Sequence, residues 1–272
     1  MNRLSIDKRS KIIQLLVEGN SIRGTSRIMD VSKNTVLKLL VEVGAACAWY
    51  QNTVFQKLNC KRIEVDEIWS FCYAKNKNVP PEYQGQVGYG DIWTWTSIDP
   101  DSRLVPCWMV GDRSAQSAHL FISDIASRMA NRIQLTADGH TAYLTAVESV
   151  FGADVDFAML VKIYGSNESQ SKMNATDSFI QKISGNPNPN LISTSLVERQ
   201  NLTMRSNIRR FVRRTNAHSK KIDNHAHAVA LHFMYYNFAR VHQSIRVSPA
   251  MAAGVTDRLW SIHEILEMSD GF

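Results

Sequence analysis

The sequence predicts an α/β protein: a mixed sheet flanked by helices and preceded by a small all-α unit. Three observations carry this. Residues 5–43 keep a helical hydrophobic period. At Arg62 the period changes to runs of β-branched and aromatic residues. Beyond Ser114 helical and strand-like segments alternate, and from about residue 194 only helical segments remain.

The composition fits such a fold. The chain has 272 residues, 44% hydrophobic and 21% charged, so it can bury a core without staples. No apolar run approaches the roughly 18 residues of a membrane span. The first residues, Met1 to Lys8, form no apolar leader, so the chain is expected to stay in the cytoplasm. Cys47, Cys60, Cys72 and Cys107 lie far apart with no C-x-x-C pair. That spacing speaks against a zinc knuckle or a disulfide framework and suits a reducing compartment.

Each element has a local cause. Ile12, Ile13, Leu15 and Leu16 give the first helix its apolar face, and Gly19-Asn20 ends it. Ser21 caps a short helix over 22–29. Ser32 caps a third, whose buried stripe is Val36, Leu39, Leu40 and Val43. These three define a unit over 1–45, followed by a connector over 46–60. The main domain is expected over 61–255. Strands are expected over 62–69, 92–98 and 104–110 as an antiparallel meander, with a turn at Asp99-Pro100-Asp101-Ser102. A helix over 114–129, a strand over 133–137, a helix over 141–150 and a strand over 155–163 follow. Residues 165–193 are polar, hold Gly185-Asn186-Pro187, and read as an insertion with a turn or hairpin. Helices are expected over 194–214 and 219–240. Pro249 breaks the chain before a C-terminal unit, 256–272, with a short helix around 258–268.

Three helices with a tight turn before the third form a helix-turn-helix pattern, whose third helix offers its early residues to the major groove. Lys33, Asn34 and Thr35 hold those positions. Asn34 suits adenine, and Lys33 suits guanine or phosphate. Arg23, Arg27 and Lys38 suit the DNA backbone. Ser26 and Asp30 depart from the small Ala and Gly usual in the motif.

Charge points to the same partner. Lys+Arg 31 against Asp+Glu 25 gives +6. From Arg199 to Lys221 the chain holds Arg199, Arg205, Arg209, Arg210, Arg213, Arg214, Lys220 and Lys221 and no acid, which suits a polyanion.

Three acids stand out. Asp66 lies within the strand-like run Arg62-Ile63-Glu64-Val65-Asp66-Glu67-Ile68-Trp69, where a carboxylate is costly unless solvated, paired or bound to a cation. Asp138 ends a short apolar strand, the usual ligand-binding position in an α/β sheet. Glu198 lies on the predicted helix 194–214. On that helical wheel Val197, Met204, Ile208 and Phe211 form a buried stripe, while Glu198 shares a face with Arg205 and Arg209, beside Arg213. Taken singly, each acid has an ordinary structural role open to it. Together, beside a basic helix, they suit hard divalent cations such as magnesium or manganese, two of which can drive an in-line phosphodiester displacement.

The stretches Glu64-Val65-Asp66-Glu67-Ile68-Trp69, Thr136-Ala137-Asp138-Gly139 and Val197-Glu198-Arg199-Gln200-Asn201-Leu202-Thr203-Met204-Arg205 resemble the DDE transposases of bacterial insertion sequences, most closely the insertion-sequence-one family. The resemblance spans residues 60–255 and the helix-turn-helix. It implies a ribonuclease H-like fold, with Asp66, Asp138 and Glu198 ligating two magnesium or manganese ions. It also implies a signature basic residue at Arg205, seven positions after Glu198. The implied activity is cleavage at the ends of a mobile element and strand transfer to target DNA. The implied partners are double-stranded terminal repeats, target DNA and further copies of the chain, near the nucleoid of a bacterial cell. Several relatives carry an N-terminal zinc finger, and here no cysteine precedes Cys47. Either the end contact rests on the helix-turn-helix alone or this form is shortened.

Secondary candidates have plainer readings. His140 is a turn residue that could orient a phosphate. His225, His227, His232 and His242 are read as packed rather than metal-bound, and Trp69, Trp93 and Trp95 as core and sheet-face residues. Glu64 shares a strand face with Asp66 and is read as a salt-bridge partner. The rival function is a transcriptional regulator, with the helix-turn-helix on an operator and a non-catalytic α/β sensor domain.

Overall fold

The computed structural model describes residues 3–163, 177–212 and 215–272. Three helices open the chain: α1 (Ile6–Val17), α2 (Ile22–Met29) and α3 (Lys33–Val54). The side chains of Ser5, Ser21 and Ser32 cap them, accepting from the backbone N–H of Lys8, Gly24 and Thr35. A three-residue turn joins α2 to α3. Its first residue, Asp30, is left-handed at φ 48°, the conformation a glycine would adopt without strain.

The sheet follows: β1 (Arg62–Cys72), β2 (Gly90–Ile98), β3 (Trp108–Gly111), α4 (Ala115–Arg128), β4 (Gln134–Asp138), α5 (Ala142–Phe151), β5 (Asp156–Ile163) and β6 (Asp177–Ser184). Its order is β3-β2-β1-β4-β5-β6. β1, β4 and β5 run parallel, and β2, β3 and β6 pair antiparallel to their neighbours. Then come α6 (Ser195–Asn207), α7 (Ile222–Met234), a π-helical turn over Tyr235–Ala239, α8 (Pro249–Ala252) and α9 (Ile262–Asp270). No helix among the described residues is long and apolar enough to cross a membrane.

Strand alternation divides the core. Ile63 and Val65 of β1 pack with Leu135 and Ala137 of β4, with Phe121 and Ile122 of α4 and with Tyr143 of α5. On the opposite face Ile68 and Ile98 pack with Val197 and Met204 of α6 and Val229 and Phe233 of α7. The three opening helices share the first core: Ile12, Val36, Leu39 and Val43 are continuous with Leu231 and Met234 of α7 and Ile265 of α9. α3 crosses α7 at Gly44, where an added Cβ would lie 2.6 Å from the His227 Cβ.

Several expected boundaries move. The connector expected over 46–60 is helical to Val54, because Ala46, Cys47 and Gln51 are buried as a continuation of the α3 stripe. The third strand is confined to Trp108–Gly111, although Cys107 still accepts from the Ser97 N–H. The insertion adds a sixth strand on β5, and its residues 165–176 lie outside the described residues. The helix expected over 194–214 stops at Asn207, Ile208 is extended, and Arg209–Phe211 form one 3-10 turn. No proline or glycine marks this break. The turn between α1 and α2 packs there instead: a Cβ on Gly19 would meet the Ser206 carbonyl oxygen at 2.7 Å. Ile208 and Phe211 stay buried, but Arg209 leaves the helical face it was expected to share with Glu198 and Arg205. Arg213 and Arg214 lie outside the described residues. The last helix begins at Ile262, set by a capping box between Ser261 and Glu264.

Candidate functional site

Two of the three predicted acids meet at the end of the parallel strands. In the β1/β4 register Val65 pairs with Ala137, so Asp66 and Asp138 follow side by side. β4 ends there, and Glu67, which alternates onto the other face of β1, also reaches the gap. Ligand oxygens of Asp66, Glu67 and Asp138 all lie within 4.8 Å of one another.

Each carboxylate is held. Asp66 accepts from the Asn201 side-chain amide at 2.8 Å and from the Glu67 N–H at 2.8 Å. Asp138 accepts from the His140 N–H at 3.0 Å. Glu67 accepts from the Arg113 Nε at 2.8 Å and the Tyr143 hydroxyl at 3.1 Å, and Arg113 in turn lies 4.6 Å from the Trp93 ring centre. Burial, then the charges of Asp138 and Glu67, push Asp66 up to about 7. Burial and Asp138 raise Glu67 to about 7 as well, against the pull of Arg113. Acids lifted this way by crowding are short of positive charge.

Glu198 comes from α6 on the same side. It adds to the negative field at Asp66, while its carboxylate is ion-paired with Lys162 of β5 and accepts from the Thr194 hydroxyl at 2.6 Å. α6 is anchored by Glu64, whose Oε2 accepts from the backbone N–H groups of Leu196 and Val197 at 2.9 and 3.0 Å. Glu64 was expected to pair with a basic side chain. It is buried under the first turn of α6 and makes no ion pair among the described residues, because the unpaired N–H groups and positive dipole of a helix start already suit a carboxylate.

The fit to a divalent cation rests on this donor set. It is all oxygen, as hard cations require, and it draws on β1 and β4. Asp66, Glu67 and Asp138 are the described residues close enough to share an ion, whereas Glu198 stands outside that group, paired with Lys162. Asn201 has a buried Oδ1 with no hydrogen-bond partner among the described residues. Glu67, Asn201, Arg113 and Lys162 were not singled out from sequence. Glu67 and Asn201 lay inside the quoted motifs, whereas Arg113 and Lys162 reach the site only through the sheet topology.

The remaining candidates sort by place. Arg205 is half-buried and donates to the Phe211 carbonyl at 3.4 Å. Arg23, Arg27, Lys33, Asn34 and Lys38 are exposed, and Thr35 is half-buried with its hydroxyl 3.1 Å from that of Ser32. Arg23, Arg27 and Lys33 share a cavity of about 440 Å3 with Arg209 and Arg210, from the far end of α6. Of the four histidines read as packed, His225 and His232 are buried and His227 and His242 half-buried. Trp95 is wholly buried, whereas Trp69 and Trp93 are half-buried. His140 is half-buried against Trp95 and Tyr143.

No family model matches this chain, and no curated protein matches it.

Proposed function

We propose that this chain is a DNA transposase of the DDE type: a ribonuclease H-like catalytic domain behind a helix-turn-helix that grips the ends of a mobile element. The observation that carries the reading is the meeting of Asp66 and Asp138 on adjacent parallel strands, with Glu198 presented by a helix locked to the same strand through Glu64. Three further features support it. In the order β3-β2-β1-β4-β5 the first three strands are antiparallel and the last two run parallel to β1, the arrangement expected of a ribonuclease H-like sheet. The three-residue turn and the exposed Lys33 and Asn34 suit a recognition helix. The cations of α2, α3 and the Arg209–Arg210 turn lie together, as a DNA backbone requires.

In this reading Asp66, Asp138 and Glu198 would hold two divalent ions. The ions would activate the attacking oxygen and stabilise the leaving one. Asn201 orients the Asp66 carboxylate, and Glu64 fixes the start of the helix that carries Glu198. Lys162 neutralises Glu198 until the site is loaded. Water cleaves the element's end, and the liberated 3′-hydroxyl then joins target DNA. Two ends must be handled together, so the working form is a dimer or a larger assembly on DNA.

The test is nicking of supercoiled plasmid with magnesium or manganese, followed by strand joining with a pre-cleaved end. Asp66→Ala, Asp138→Ala and Glu198→Ala should each abolish both steps and leave DNA binding intact. A regulator built on the same fold would leave the plasmid supercoiled with or without metal.

A further inference from the structure

The cavity between the opening helices and the far end of α6 has a chemistry of its own. Its rim carries six cationic side chains, Arg23, Arg27, Lys33, Arg209, Arg210 and Lys220, and none of its lining residues is acidic. Its floor is apolar, formed by Leu16, Val17, Leu37, Leu40, Ala228 and Leu231. Between them stand four amides, those of Asn20, Asn207, Asn216 and Asn224.

Two groups in the wall lack a counterpart. Arg210 donates to the Ser219 hydroxyl at 3.2 Å and makes no ion pair among the described residues. Its burial pulls its pKa down to about 10, so it remains a cation with no acidic partner among the described residues. His232 is 2% exposed. Its Nε2 lies 3.3 Å from the Gln200 amide nitrogen. Its Nδ1 is buried and has no hydrogen-bond partner among the described residues. A buried polar atom left unpaired is costly, so a ligand group that hydrogen-bonds to it is its natural complement.

We propose that this cavity is a single-nucleotide pocket that receives one unstacked nucleotide of the bound DNA strand, its phosphate on Arg210 and the cationic rim and its base on the apolar floor among the asparagine amides. The inference rests on the DNA-binding reading above and deepens it. A phosphate alone would use the rim and leave the floor and amides idle. A lipid would use rim and floor but not the amides. A nucleotide uses all three: charge for the phosphate, apolar surface for the base faces, and amides for the base edges. The volume also lies within the roughly 300–1,000 Å3 of small-ligand pockets. α6 links this pocket to the acids: from Glu198 to Asn207 the helix rises on the order of 14 Å. The held nucleotide would therefore sit a few nucleotides from the bond being cut.

The test uses the full chain and three probes: thymidine monophosphate, inorganic phosphate, and a fluorescent oligothymidylate of about 12 nucleotides. Ala228→Phe fills the floor without touching a charge, and Arg210→Met removes the buried cation. The wild-type chain should bind thymidine monophosphate on the order of tenfold more tightly than inorganic phosphate. Ala228→Phe should abolish that preference and leave phosphate binding unchanged, while Arg210→Met should weaken both. Each variant should weaken the oligonucleotide by about tenfold, and circular dichroism and Tm establish that the variants fold. Equal binding of the two small probes by the wild-type chain would overturn the pocket. So would wild-type affinity in a folded Ala228→Phe or, where that variant does not fold, in Arg210→Met. Binding of the monophosphate with no binding of any DNA would leave a nucleotide site and overturn its assignment to a strand. Plasmid nicking that survives in Ala228→Phe with the monophosphate preference lost would separate the pocket from the transposase reading itself.

Discussion

Lys162 of β5 is ion-paired with Glu198 of α6. The pair joins the strand beyond Asp138 to the helix bearing the third acid, so a cation already stands where the proposed metals would. Its removal should help the metal. Taking away one positive charge close to a divalent ion is worth about 1 kcal/mol at partly solvated distances. Lys162→Met should therefore tighten manganese binding about fivefold by calorimetric titration. Both partners are part-exposed, so Tm should move little. Weaker manganese binding in this variant would assign Lys162 to the loaded site instead.

Glu64 should prove a stability residue with a catalytic consequence. It is 3% exposed, and its Oε2 accepts two N–H groups at the start of α6. Glu64→Leu strips both donors of their acceptor inside a buried turn, which costs about 2 kcal/mol. Urea unfolding should show that loss. Glu64→Gln retains one acceptor and should lose about half as much. Nicking by the folded fraction should fall in both, because Glu198 sits on the first turn of the loosened helix.

Much of this frame was legible in the sequence because it rests on local signals. Ser21 and Ser32 announce their helices, β-branched runs announce β1 and β2, and the Asp138-Gly139 turn marks the end of β4. What escaped depends on tertiary contact. The break after Asn207 lies where the backbone of Gly19 packs against Ser206, a contact no periodicity encodes. The same break separates Arg209 from the Glu198 face and turns it toward Arg23 and Arg27. Glu67 escaped for a different reason. Alternation assigns it to the opposite face from Asp66, and only the early end of β4 lets both reach one gap.

Asp66 should trade stability for function. With its native pKa raised to about 7, against an unfolded value of about 3.9, the native state holds the extra proton between those limits. The stabilisation is therefore complete below about pH 4 and is lost as pH rises through about 7. Asp66→Asn removes the repulsion from Asp138 and Glu67 while keeping an oxygen for the Asn201 amide. The metal-free variant should be more stable than wild type at pH 8, by about 1 kcal/mol in urea, and should show no manganese-dependent rise in Tm. A wild-type chain whose metal-free stability changed between pH 5 and 8 in the same way as that of Asp66→Asn would contradict the raised Asp66 carboxyl.

The buried histidines act with the opposite sign. Burial pulls His225 and His232 down to about 3 and His242 to about 4, while unfolded rings titrate near about 6.5. Above that value neither state binds the proton and the rings are silent. As pH falls below about 6.5 the unfolded chain takes up protons that the native core refuses, so stability declines toward pH 3–4. Each ring contributes a slope of about 1.4 kcal/mol per pH unit within the window. Asp66 and Glu67 oppose this from about pH 4 to 7, so the wild-type slope should be shallow near pH 5 and steeper in Asp66→Asn. His225→Gln preserves a partner for the Ser219 hydroxyl, which now lies 2.8 Å from the ring Nδ1, and removes one titrating group. Urea midpoints from pH 6.5 to 4.5 should then fall less steeply than in wild type, by about one proton's worth. An unchanged slope would mean that the His225 ring is already protonated in the folded chain, and the sealed contact between Phe211 and His225 at 4.8 Å would have to open.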